Sequence, residues 1–217
     1  MAEVKLVYPA SGLTAPTSWG SKESIKKMME KIYKDYGTYI DFVSKESNLP
    51  KEMIASFIAV ESGGNEKAGA SGHVTQGLMQ WNRTYAKAQL EKELKEGRMT
   101  KAEKDKLASF GIKFDANGKT RAITNADQLK PELNILIGSI ILGQLIDTDW
   151  GTEDGEIKLD RVIAVYNAGA YGDTGKKARS KAYKTPKDLA SAVNPTTSAY
   201  IKKILGTSGA LDLTKTA

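Results

Sequence analysis

Apolar residues recur at steps of three and four along much of this chain, the period of an α-helix. From Ser21 onward, Ile25, Met28, Met29, Ile32 and Tyr36 form one apolar stripe. A second helix is expected to start near Pro50, a residue favoured in first turns, and to stop at Gly63-Gly64. A strongly charged helix follows over residues 85–96 and ends at Gly97. Thr100 and Glu103 then have the spacing of a capping box, opening a short helix to Phe110. Asn117-Gly118, amid β-compatible residues, predicts a small hairpin between Ile112 and Ile123. The most apolar stretch, 133–146, lies between Pro131 and Asp147 and predicts a buried helix over residues 132–146. It falls short of the roughly 20 residues that span a bilayer, so no membrane insertion is expected. An acidic turn comes next, over 147–156. Helices are expected over 159–168 and 197–205, with a basic, polar connection between them.

The expected fold class is therefore mainly α, with a small β-hairpin carried in an insertion. Residues 1–20 hold prolines, serines and glycines without a clear period, and read as an arm or linker. Residues 21–207 read as one domain and 208–217 as a tail. No repeat is evident.

Composition narrows the chemistry. The 217 residues are 40% hydrophobic, enough for a real core. The absence of cysteine excludes disulfides, a thiol nucleophile and a cysteine-ligated zinc site. The single histidine, His73, leaves no material for a multi-histidine metal centre, so neither metal nor cofactor is expected. A formal charge of +6, from 32 basic and 26 acidic residues, favours anionic partners without choosing among them. The first 20 residues lack the charged-then-apolar pattern of a signal peptide.

The most informative local feature is a carboxylate on an apolar face. Ile54, Phe57, Ile58 and Glu61 stand at i, i+3, i+4 and i+7, and three of the four are apolar. Burial among them and the negative end of the helix dipole both disfavour an ionised carboxylate there, which suits a general acid. A rim position with the carboxylate turned to water fits the same spacing. Leu159, Val162, Ile163 and Tyr166 repeat the arrangement, closing a second stripe on a polar tip. That tyrosine reads equally as a core residue with a satisfied hydroxyl.

Four motifs, in order over about residues 50–205, carry a family resemblance. Glu61-Ser62 followed by Gly77-Leu78-Met79-Gln80 resembles the opening of soluble lytic transglycosylase domains, relatives of goose-type lysozyme. Pro131-Glu132-Leu133-Asn134-Ile135, with Gly138, resembles the family's P-x-x-N-I-x-x-G helix. Val165-Tyr166-Asn167-Ala168-Gly169 is similar to its A-Y-N-A-G motif. Thr197-Ser198-Ala199-Tyr200-Ile201 is similar to the late T-x-x-Y-V segment. The sequence departs from the pattern at Ile141, Val74 and Thr196. The Glu61-to-Gly77 spacing is one residue longer than in the family, and about 84–126 reads as an insertion that could form a wall or lid.

The resemblance implies a lysozyme-like fold and cleavage of the β-1,4 bond between N-acetylmuramic acid and N-acetylglucosamine in peptidoglycan. It gives Glu61 the role of acid and then base, closing a 1,6-anhydro ring. Gln80 and Asn167 would offer amides to the sugars, and Tyr166 would hold or polarise Glu61 and the reacting sugar. Ser71, Met79 and Tyr200 are cleft-lining candidates.

An inverting hydrolase instead needs a second carboxylate about 6.5–9.5 Å from the acid. Glu66 is the only other acid between Glu61 and Gln80, and Asp115 and Asp127 lie in the insertion. A non-catalytic wall-binding or structural virion protein is the alternative outside enzymology. Nucleic-acid binding rests only on the basic run Lys176, Lys177, Arg179, Lys181 and Lys184 with Tyr183, and is not expected. Residues 169–177 miss the phosphate-loop pattern at Ala170 and Lys177. Asp147, Asp149 and Asp154 miss a calcium loop at Gly151 and Thr152. A wall-degrading chain without signal peptide or cysteines suggests a phage virion or host cytoplasm before release. A virion or secretion assembly is the conceivable partner.

Overall fold

The computed structural model describes residues 11–70 and 73–214. They are mainly helical, with two small two-stranded antiparallel sheets. The chain divides into two compact units. One is the continuous stretch 31–141. The other combines, among the described residues, 11–30 with 142–214. The divisions fall within two helices, α1 (Lys22–Ser47) and α6 (Pro131–Ile146).

The 31–141 unit also holds α2 (Lys51–Ser62), β1 (Thr75–Gln76), β2 (Trp81–Asn82), α3 (Arg83–Lys95), α4 (Lys101–Ser109) and α5 (Asn125–Gln128). Its helices end where local chemistry says they should. Pro50 caps α2 in extended conformation, and Gly63, at φ +62°, ends it in the left-handed region that glycine tolerates best. Asn82 caps α3 by accepting from the Tyr85 N–H at 3.1 Å. Thr100 and Glu103 form the reciprocal capping box of α4. Residues Leu133 to Ile141 of α6 are all buried, as befits a helix apolar around its whole circumference.

The hairpin expected between Ile112 and Ile123 is reduced to one antiparallel bridge, Phe114 to Thr120, around Gly118. The Asp115 carboxylate organises this turn by accepting from the N–H groups of Asn117 and Lys119 at 2.8 and 2.9 Å. Pairing stops there because the next groups bind elsewhere. The Thr120 N–H donates to Glu91 at 3.1 Å, and Arg121 turns to the Phe110 and Gly111 carbonyls and to Asp127.

The second unit holds β3 (Thr152–Glu153), β4 (Glu156–Ile157), α7 (Leu159–Ala168), α8 (Asp173–Ala178), α9 (Pro186–Ala192), α10 (Pro195–Leu205) and α11 (Ala210–Thr214). Helix α7 packs against α8 and α10, and α10 against α9 and α11. The basic connection thus contains two helices. Helix α9 opens on a capping box, Thr185 with Asp188, and on Pro186 in its first turn. The segment read as a tail carries α11, whose Leu211 and Leu213 are buried. Part of the segment read as an arm is paired. Thr14 bridges Thr207 in parallel, and the Ser11 hydroxyl donates to the Leu205 carbonyl at 2.7 Å. No described helix is long and apolar enough to cross a membrane.

Two ion-paired carboxylates, half-buried Glu91 and buried Asp127, pin the insertion. Burial pushes Glu91 up, but hydrogen bonds from Lys87, the Thr120 N–H and Lys119 outweigh it and hold its pKa at about 2. Asp127 also meets an opposing burial effect. Arg121, the Thr124 N–H and Lys130 nevertheless hold it well below the usual carboxylate range. A carboxylate whose folded pKa lies below its unfolded one stabilises the fold above the unfolded value and loses that contribution as pH falls. Asp127→Asn is therefore expected to be about 1–2 kcal/mol less stable at pH 7, the exposed half of its partners being screened. Urea denaturation should show the deficit shrinking as pH falls from 4 towards 2. A deficit that is constant with pH would assign it to packing instead.

Candidate active site

Glu61 lies half-buried in the last turn of α2, on a stripe whose other members, Ile54, Phe57 and Ile58, are fully buried. The chain is fastened as it leaves that turn. The Gly63 N–H donates to the Ala59 carbonyl at 3.0 Å, and the Ser62 hydroxyl donates to the Ile58 carbonyl at 3.0 Å. Tyr36 of α1 donates its hydroxyl to the Gly64 carbonyl at 3.1 Å. A half-buried carboxyl thus sits on a helix end whose continuation has little freedom.

The second feature of this unit is the four-residue loop 77–80, which joins β1 to β2 with Gln76 paired to Trp81. Gln80 has φ +48°, a left-handed conformation uncommon for a residue with a side chain. Its own amide over-determines that conformation. Nε2 donates to the carbonyls of Gly77 at 2.7 Å and Ala68 at 3.1 Å, and Oε1 accepts from the Thr75 hydroxyl at 3.3 Å. Both amide hydrogens are thus engaged by backbone carbonyls, and Oε1 by the Thr75 hydroxyl.

Asn134 of α6 clamps the same loop from beneath. Its side chain is fully buried. Oδ1 accepts from the Met79 N–H at 2.7 Å, while Nδ2 donates to the carbonyls of Gln76 at 3.0 Å and Gln128 at 2.8 Å. The Asn134 carbonyl in turn accepts from the Trp81 indole at 2.9 Å. The Gln128 side-chain amide donates to the Trp81 carbonyl at 2.6 Å. Close approach explains the glycines. A Cβ on Gly77, at φ +82°, would lie 2.2 Å from the Gln128 carbonyl oxygen. One on Gly138 would lie 2.4 Å from the Met79 sulfur. Met79 is accordingly fully buried, a packing residue in this conformation. Ser71 lies outside the described residues, and His73 is exposed.

The other sequence-derived candidates belong to the second unit. Leu159, Val162 and Ile163 of α7 are buried and Tyr166, which closes their stripe, is half-buried. Asn167 is half-buried and accepts at Oδ1 from the Thr197 hydroxyl, 2.9 Å away. The Thr197 N–H donates to the Asn194 side chain at 2.9 Å, which caps α10. Tyr200 of α10 is buried. The candidates thus fall into two sets, Glu61, Met79 and Gln80 in the 31–141 unit and Tyr166, Asn167 and Tyr200 in the other.

The acids of the insertion have other tasks. Asp115 shapes its turn, and Asp127 caps α5 and pairs with Arg121. Among the described residues, no group of three or more histidine, aspartate or glutamate side chains is arranged to hold a metal ion. Compared with models of known protein families and with curated proteins, the chain finds no match. Any functional reading therefore stands on these residues and on the resemblance that their order carries.

Sequence reasoning overlooked Asn134 and Gln128 as the organisers of the 77–80 loop. Asn134 stood in the quoted P-x-x-N-I-x-x-G motif, but nothing in its spacing marked it as a clamp on residues 77–80. Gly77→Ala is expected to destabilise the fold by about 3 kcal/mol, combining backbone strain with steric overlap. Asn134→Ala should lose a similar amount, about 3 kcal/mol, because it strands one N–H and two carbonyls. Urea melts would measure both; unchanged midpoints would remove the clamp from the account of this loop.

Proposed function

We propose that this chain is a lysozyme-like lytic transglycosylase acting on peptidoglycan, with Glu61 as its catalytic acid and base. The observation that carries this reading is Glu61 itself, the sole carboxylate on a buried apolar stripe, half-buried in the final turn of α2. Such a carboxyl, close to the negative end of a helix, is suited to holding a proton until a leaving group needs it.

The support extends to the motifs of the resemblance, which are partners in packing. Gly77 and Met79 of the first fit against Asn134 and Gly138 of the second. Asn167 of the third is hydrogen-bonded to Thr197 of the fourth. Four segments that share an order with a family thus also share physical reasons to occur together.

In this mechanism Glu61 donates its proton to the glycosidic oxygen as the bond from C1 of N-acetylmuramic acid breaks. N-acetylglucosamine leaves with that proton. The glutamate, now ionised, takes the proton of the C6 hydroxyl on the same muramic acid, and O6 bonds to C1. A 1,6-anhydro ring results, no water is consumed, and Glu61 ends protonated as it began. The resemblance gives Gln80 and Asn167 the role of sugar contacts and Tyr166 that of holding the reacting ring. A hydrolase would need a water-activating carboxylate. The commitment of Asp115 and Asp127 to their own turns favours the anhydro route. A phage virion or lysis setting, where such a chain meets the wall, completes the reading.

Mass analysis of fragments released from purified sacculi is expected to give 1,6-anhydromuropeptides. Reducing-end products carrying oxygen from labelled water would establish hydrolysis, and wall binding without release would establish a non-catalytic role. Glu61→Gln should keep its thermal melt and lose at least about 100-fold in activity, the usual contribution of general acid–base catalysis. Turnover retained by that variant would exclude Glu61 from the chemistry.

A further inference from the structure

Helix α4 is seated by a stripe of three residues spaced four apart, Met99, Glu103 and Leu107. All three are buried, and the middle one is a carboxylate only 6% exposed. Capping accounts for one end of it. Oε2 accepts from the Thr100 N–H at 2.8 Å, and the Glu103 N–H donates to the Thr100 hydroxyl oxygen at 3.1 Å. Capping does not by itself require that the carboxylate be buried between two apolar side chains.

A second carboxylate meets the same cap. The Thr100 hydroxyl has one hydrogen and donates it to Glu46 of α1, 3.0 Å away. A third, Glu93, is buried on α3 and accepts at Oε1 from the Arg98 Nε at 2.9 Å. The cations of this region are engaged with other acids. Arg98 pairs with Glu93 and Glu96, Lys101 with Asp105, and Lys106 with Glu132 of α6. Lys106 also lies 5.4 Å from the centre of the Phe42 ring of α1, and Lys104 is exposed. Burial pushes the Glu103 carboxyl above the usual carboxylate range. Hydrogen bonds from Thr100 offset this in part, while the charges of Glu93 and Glu46 add to it. A carboxyl so placed costs more to ionise in the fold than in a locally opened chain.

We propose that Glu103 is a proton-controlled latch on α4, which seats the helix when protonated and loosens it when ionised beside Glu46 and Glu93. Protonation removes one of three neighbouring charges and supplies an O–H donor where carboxylate oxygens are plentiful. The part of the insertion that α4 forms is thus held more firmly in mild acid than at neutral pH. The sign is opposite to that of Asp127 and Glu91, whose contributions are lost as pH falls. A carboxyl whose folded pKa lies above its unfolded one costs nothing well below both, and destabilises increasingly as pH rises from the ordinary glutamate value. The latch is independent of the chemistry assigned to Glu61.

The test uses the full chain. Amide hydrogen exchange, corrected for the intrinsic effect of pH, follows residues 101–109 between pH 4 and pH 7.5, with the amides of α2 as internal reference. Their protection is expected to fall about fivefold, relative to α2, as pH rises across that range. In Glu103→Gln, which keeps the shape and imitates the protonated acid, the fall should vanish. In Glu46→Gln, which removes one facing charge, it should shrink. Thermal melts provide the second readout. Glu103→Gln should melt about 2–4 °C above the parent chain at pH 7 and level with it at pH 4. A glutamate that serves only as a cap gives the reverse, a variant that is weaker at pH 7 with a deficit that closes in acid. That result overturns the proposal. So does protection of 101–109 that is constant with pH in the parent chain, a measurement that needs no variant, and so does a fall that persists in Glu103→Gln.

Discussion

One buried amide organises the larger unit. Asn134 carries a single side chain with one acceptor and two donor hydrogens, and in this fold all three are satisfied by backbone groups. Its partners are 55, 58 and 6 residues away in the chain. A polar group buried at this depth is tolerated only when its hydrogen bonds are complete, and once complete it permits few alternatives. The place of the loop 77–80 and the glycine at its head follow from that requirement, while the left-handed backbone of Gln80 is held by its own amide. The small residue at 138 follows from it too, making room for Met79 directly below the loop.

The charge pattern works at another level. The chain is basic as a whole, yet several of its buried or half-buried acids are matched individually, Glu93 by Arg98, Asp127 by Arg121 and Lys130, Glu153 by Arg161. These pairs fasten segments that lack a strong apolar face of their own, above all the insertion. Glu61 owes its position to the backbone around it. It is placed by the apolar side of a helix and by a glycine stop, and the fastening of Ser62, Gly63 and Gly64 keeps that stop where it is.

Long periodic elements were legible in the sequence because their signals repeat. The start of the first helix near Ser21, the helix ending at Gly63 and the helix over 159–168 were read within a residue or two of their observed bounds, although α1 runs on to Ser47, well past the last stripe residue, Tyr36. Short elements were not. Helices α5, α8 and α9 have four to seven residues, too few for a period to emerge. Thr124 with Asp127 and Thr185 with Asp188 were nevertheless readable as capping boxes, had aspartate been weighed like glutamate at the third position. The hairpin at Asn117-Gly118 was over-read, since turn chemistry cannot reveal that Glu91 would take the next N–H. For the candidate site, the stripe position of Glu61 was visible. The fastening of Gln80 by its own loop was not, because it depends on carbonyls that only folding brings near.

The parallel bridge between Thr14 and Thr207 has a consequence for how the chain is made. Residues 11–30 belong with residues 142–214, whereas 31–141 is continuous. On a ribosome the continuous stretch can meet the partners within itself as soon as it emerges. The strand-like segment at 13–15 must wait until residue 207 has been synthesised, almost the whole length of the chain later. Vectorial synthesis thus imposes an order on the two units that refolding of the finished chain does not.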